Sequence, residues 1–102
     1  MPKYIIAYLS GKPFANPQDG AAHRAKWKAW VGDLGEAVVD PGTPLTKGKL
    51  VSAEGVSDAG ANSLTGFTVV VAVSMDAALQ MAQRCPYLDY GSIEVAEMME
   101  MK

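Results

Sequence analysis

Two runs of the chain restrict its fold more than anything else. Tyr4-Ile5-Ile6-Ala7-Tyr8-Leu9 and Phe67-Thr68-Val69-Val70-Val71-Ala72-Val73 are rich in β-branched and aromatic residues, as strands are. Both carry apolar side chains at odd and at even positions. Successive side chains of a strand point to opposite faces. Each run therefore predicts a strand that must be covered on both sides.

Between and after these runs, local signals place the other elements. Asn16 suits an N-cap, Pro17 the first helical position and Asp19 the first turn. The helix they open runs to Leu34 and stops at Gly35. At about 100° per residue, His23, Trp27, Trp30 and Leu34 fall in one stripe, with Val31 at its edge and Arg24 and Lys28 on the other side. Glu36–Val39 predicts a second strand, ended by Asp40-Pro41-Gly42-Thr43-Pro44. Leu50–Ala53 reads as a short extra strand, and 55–66 as a small-residue loop holding Ser57, Asp58, Asn62, Ser63 and Thr65. Ser74 caps a second helix with Met75, Ala78, Leu79 and Ala82 as its buried stripe, ending near Cys85-Pro86. Ser92–Met98 alternates as the last strand. The fold class is α+β: a ferredoxin-like β-α-β-β-α-β order with an extra strand or hairpin in the middle. Two helices cover one face of such a sheet. The simplest cover for the other is a second copy of the chain, making a homodimer through the sheet face.

The chain has 102 residues, the size of a single domain spanning 1–102. Its net charge of −2 offers no basic field for a nucleic acid. The Tyr4–Leu9 run is too short for a signal-peptide core or a membrane span, and the single cysteine, Cys85, forms no internal disulfide. The expected setting is the cytoplasm, with neither nucleic acid nor membrane as partner. One histidine and one cysteine build no structural zinc centre. Gly48-Lys49 is followed by Leu50, where a phosphate loop needs Ser or Thr, and no dinucleotide fingerprint is present. No cofactor or metal is expected.

The chemistry-bearing residues are few. His23 lies at the centre of the helix stripe, facing the sheet, in a cavity between the two. It is read either as a general acid or base near neutral pH or as a structural histidine bonded to a backbone carbonyl or water. Asp40 is read as the carboxylate that orients His23, or as a turn residue before Pro-Gly. With such a carboxylate close, the histidine pKa should rise. Asp33 lies about 80° round the helix from His23. Trp27 and Trp30 belong to the core, with indole N–H groups that need partners and can border a pocket. Tyr8 supplies a hydroxyl to the same space. Tyr87 and Tyr90 are assigned to the surface or an interface. Cys85 is a small packing residue whose pKa the end of the second helix should raise.

Taken in order, these pieces resemble the YCII-related, or DGPF, family. The likeness rests on Tyr4-Ile5-Ile6-Ala7-Tyr8, Trp27-Lys28-Ala29-Trp30 with Leu34-Gly35, Asp40-Pro41-Gly42-Thr43-Pro44-Leu45, Gly66-Phe67-Thr68-Val69-Val70, and Ala77–Ala82 through Cys85-Pro86 to Ile93-Glu94-Val95. The tetrapeptide that names the family is absent: Asn62-Ser63-Leu64-Thr65 stand before Gly66. The resemblance implies a ferredoxin-like fold that pairs sheet to sheet as a dimeric α/β barrel. It also implies a His and an Asp brought close together in shorter, enzyme-like members. His23 matches that histidine by its place on the first helix; Asp33 and Asp40 both stay open as the aspartate.

The first reading is a small dimeric protein that binds an unknown small molecule between helix one and the sheet. As an enzyme it would do cofactor-free acid/base chemistry with His23 and Asp40, lined by Tyr8, Trp27, Trp30 and Asp33. A second reading is a non-catalytic regulatory or interaction module, since the family resemblance implies association with sigma-type transcription factors. A third is a dimer whose pocket is vestigial.

Overall fold

The computed structural model describes residues 1–46, 48–60 and 63–101; Asn62, noted above in the central loop, lies outside them. The main sheet is four-stranded in the order β2-β5-β1-β6. Its strands are β1 (Lys3–Leu9), β2 (Val38–Asp40), β5 (Leu64–Val71) and β6 (Ser92–Met98), and every neighbouring pair is antiparallel. The two doubly apolar runs lie side by side, Tyr4 opposite Val70 and Ile6 opposite Thr68. This is the ferredoxin-like α+β arrangement. Helices α1 (Pro17–Leu34) and α2 (Met75–Gln83) pack on the face that carries Tyr4, Ile6, Tyr8 and Val70.

The helix starts follow from their caps. Asn16 Oδ1 accepts from the Asp19 N–H at 2.8 Å, and Ser74 Oγ from the Ala77 N–H at 3.2 Å. Each satisfies a donor that a first helical turn leaves unpaired. The stripe of α1 is as spaced: Trp30 is buried, and Trp27, Val31 and Leu34 pack against the core. That of α2 is turned from expectation. Ala78 and Ala82 are buried, but Met75 and Leu79 are exposed, and Ala77 and Met81 pack inward instead. The Trp30 indole reaches across to donate to the Met81 carbonyl at 3.0 Å, so α2 presents its Met81 side to α1.

Two elements differ from the sequence reading. Gly35–Ala37 is a 3-10 turn, which leaves β2 only Val38–Asp40. The stretch read as an irregular loop begins with a strand, β4 (Gly55–Asp58), paired with β3 (Lys49–Ser52) in a separate two-stranded sheet. Its alternation was hidden because Gly55 and Ser57 share the strand with Val56 and Asp58, leaving one apolar position. Among the described residues, no helix lies over the opposite face of the main sheet, which carries Ile5, Ala7, Leu9, Phe67, Val69 and Val71. No helix among the described residues is long and apolar enough to cross a membrane.

Candidate functional site

The helix-facing side of β1 ends in a hydroxyl with several neighbours. Tyr8 Oη lies 2.5 Å from Thr68 Oγ1, Trp27 Nε1 lies 3.1 Å from Tyr8 Oη, and Thr68 Oγ1 lies 2.9 Å from the Pro41 carbonyl. The proton directions follow from the groups themselves. The Pro41 carbonyl only accepts, so Thr68 gives it its one hydroxyl proton. Thr68 then accepts from Tyr8, and Tyr8 accepts from the indole of Trp27. The result is a directed chain from α1 through β1 and β5 to the turn after β2. Burial, opposed by the hydrogen bonds with Thr68 and Trp27, pushes the Tyr8 phenol up to about 12. Tyr8 therefore stays protonated across the physiological range. Cys85 lies within reach of the same hydroxyl, and burial raises its thiol above the ordinary value, so it is a protonated core group.

Beside this chain sits His23, half-buried on α1. Its ring is surrounded by Tyr90 at 5.0 Å, Phe14 at 5.5 Å and Tyr87 at 6.2 Å between ring centroids, both tyrosines edge-on. Its Nδ1 is buried and has no hydrogen-bond partner among the described residues. Burial lowers the pKa from its ordinary value; the charge of Asp89 works the other way, while Lys26 and Arg24 reinforce the lowering. The expected rise is not seen, because desolvation outweighs the carboxylate that is present. At neutral pH the ring is uncharged.

Tyr87 joins the two groups. Its ring stacks on Tyr8 at 5.0 Å, and its hydroxyl lies 2.7 Å from Thr65 Oγ1, which in turn donates to the Tyr8 carbonyl. A Cβ at Gly11 or Gly91 would collide with Tyr87, so both positions must stay bare for the ring to sit there. Tyr87 and Tyr90, assigned from sequence to the surface or an interface, are half-buried in the subunit and stand as walls around His23. Their signal was present: Pro86 opens a 3-10 turn, Pro86–Asp89, in which side chains three apart eclipse. Phe14 gave none, since it reaches His23 from a loop. Thr68 was missed because a threonine within an apolar strand reads as a β-former.

The remaining predicted residues are placed as follows. Asp40 is exposed, and its Oδ1 accepts from the Gly42 N–H at 2.8 Å. Gly42 has φ 77° and lies against the Phe67 carbonyl, which no other side chain tolerates. Among the described residues no hydrogen bond or ion pair joins His23 to Asp40. The end of β2 does reach the Tyr8 chain, but through the Pro41 carbonyl. Asp33 is exposed on α1. Trp30 bonds toward α2, away from Tyr8. The rings of Phe14, Tyr87 and Tyr90 stand around His23 where the cavity was expected; a depression of about 460 Å³ lies along the Ala77–Arg84 side of α2, and another of about 320 Å³ near the β3–β4 hairpin. No group of His, Cys, Asp and Glu among the described residues is arranged to hold a metal.

No curated protein matches the chain. The fold is similar to that of a solved structure, 5-chloro-2-hydroxyhydroquinone dehydrochlorinase (TftG) from Burkholderia phenoliruptrix in complex with 2,5-dihydroxybenzoquinone. The TM-score is 0.63 at 16% identity, over 97% of this chain and 95% of that one. The family model of the YCII-related domain matches residues 5–102, which takes in β1 with Tyr8, α1 with His23, and the turn with Tyr87 and Tyr90: the chain belongs to the YCII-related family.

Proposed function

We propose that the chain binds a small, flat, oxygenated ring compound beside His23 and acts on it by cofactor-free proton transfer. The observation that carries this reading is the buried Nδ1 of His23, a polar atom without a partner inside a wall of aromatic faces. An unsatisfied buried polar atom is disfavoured by about 1–3 kcal/mol, and a ligand hydroxyl would satisfy it. Phe14 is 42% exposed and borders His23 from a loop, so the ligand gains access by displacing that ring. The neutral imidazole then serves as a base at neutral pH, and the nearby charge of Asp89 stabilises the imidazolium it forms. Asp40 acts at one remove, by shaping the turn whose Pro41 carbonyl anchors Thr68. The dehydrochlorinase supports the class of ligand, since its complex holds a dihydroxylated quinone ring. The working form in this reading is a homodimer in the cytoplasm, joined through the bare sheet face.

The test is a titration with 2,5-dihydroxybenzoquinone followed by NMR. Shifts centred on His23, Tyr87 and Tyr90 that vanish in a His23→Ala variant of unchanged fold are expected. A wild-type protein that shows no shifts at millimolar ring compound leaves the interaction-module reading in place of this one.

A further inference from the structure

The β3–β4 hairpin stands apart from the body of the subunit. All eight of its strand residues are exposed, and among the described residues neither strand packs substantially on any other element. Its paired Val51 and Val56 are 73% and 70% exposed, beside the Lys49–Asp58 ion pair. A two-stranded hairpin on its own is marginally stable at best in water. The radius of gyration, 14.6 Å, exceeds the roughly 13 Å of a compact chain of this length, as a projecting arm requires.

The root of the hairpin adjoins the bare face of the main sheet through Leu50, on the hairpin face opposite Val51 and Val56. Leu9, at the end of that face, pairs with Leu64. Leu64 lines the depression at the hairpin root together with Leu45 and Leu50, and all three leucines are exposed. The bare face alone is small. Strands of 7 or 8 residues in β1, β5 and β6, with the short β2, project on the order of 400 Å² at strand spacing. A stable interface needs about 800 Å² from each partner. The leucine root extends that face, the exposed valine pair adds a second apolar strip, and in a two-fold pair each arm contributes on both sides.

The geometry points to the β3–β4 hairpin as an arm that packs on a second copy of the chain, extending the sheet-to-sheet interface; this rests on the dimer reading above. The experiment is sedimentation of wild type and of a Val51→Asp/Val56→Asp variant across nanomolar to micromolar concentrations. A wild-type dimer whose dissociation constant rises at least tenfold in the variant supports the arm. A wild-type dimer matched by the variant overturns the arm and leaves the sheet-face dimer standing, whereas a wild-type monomer throughout overturns both. Hydrogen exchange of the unmodified protein gives an independent reading should the variant misfold. Amides of β3 and β4 that stay protected in the dimer and lose protection on dilution support the arm; amides that exchange freely in the dimer refute it.

Discussion

His23 and Thr68 show how the same fold treats two side chains with buried polar atoms. Thr68 is fully buried but has two partners, Tyr8 and Pro41. A Thr68→Val variant keeps the shape of the side chain, removes the acceptor of the Tyr8 proton and strands the Pro41 carbonyl. The expected loss is about 1–3 kcal/mol, read from denaturant midpoints; an unchanged midpoint would show that the chain of hydroxyls contributes nothing. His23 has an unpartnered Nδ1 and a pKa lowered by burial. The unfolded chain then binds a proton at higher pH than the folded one. The stability that His23 contributes is complete above its ordinary value near 6.5 and is lost as pH falls through the lower folded value. An imidazole NMR titration should place the midpoint below that of a free histidine, and the acid-side slope of stability should shrink in His23→Gln. A midpoint at or above the free value contradicts the burial of this ring.

At the scale of elements, the two helices are joined by one side chain. Trp30 is 5% exposed on α1 and donates its indole proton to α2. Trp30→Ala removes both the packing and the bond, and aromatic-to-Ala changes in cores cost about 3–5 kcal/mol. Thermal unfolding at the wild-type temperature would place Trp30 outside the core. Both helix starts were legible in sequence, because a cap is a contact between residues three apart: Asn16 with Asp19, Ser74 with Ala77. The stripe of α1 was legible for the same reason, being a period within one element. The stripe of α2 was not. Whether Leu79 or Met81 faces inward depends on where Trp30 arrives from another helix.

For the whole molecule, the sheet has one face under two helices and one bare, and a homodimer is expected at micromolar concentration in sedimentation; a single species of monomer mass would refute it. That both faces of β1 and β5 want cover was determined by the sequence, since apolar residues at both parities in Tyr4–Leu9 and Phe67–Val73 say so without any tertiary information. So were the order of the elements apart from β4 and the placing of His23, Trp27 and Trp30 on one side of α1. Only the tertiary structure decided the company of His23. Phe14, Tyr87 and Tyr90 come to it from a loop and a 3-10 turn, and Asp40 turns its carboxylate to Gly42 at the end of β2. The physical reason is range. Caps, stripes and strand faces depend on periods of two to four residues within one element. Which side chains meet across 60 or more positions, as Tyr8 meets Thr68 and Tyr87, depends on strand order and register, which no local period encodes.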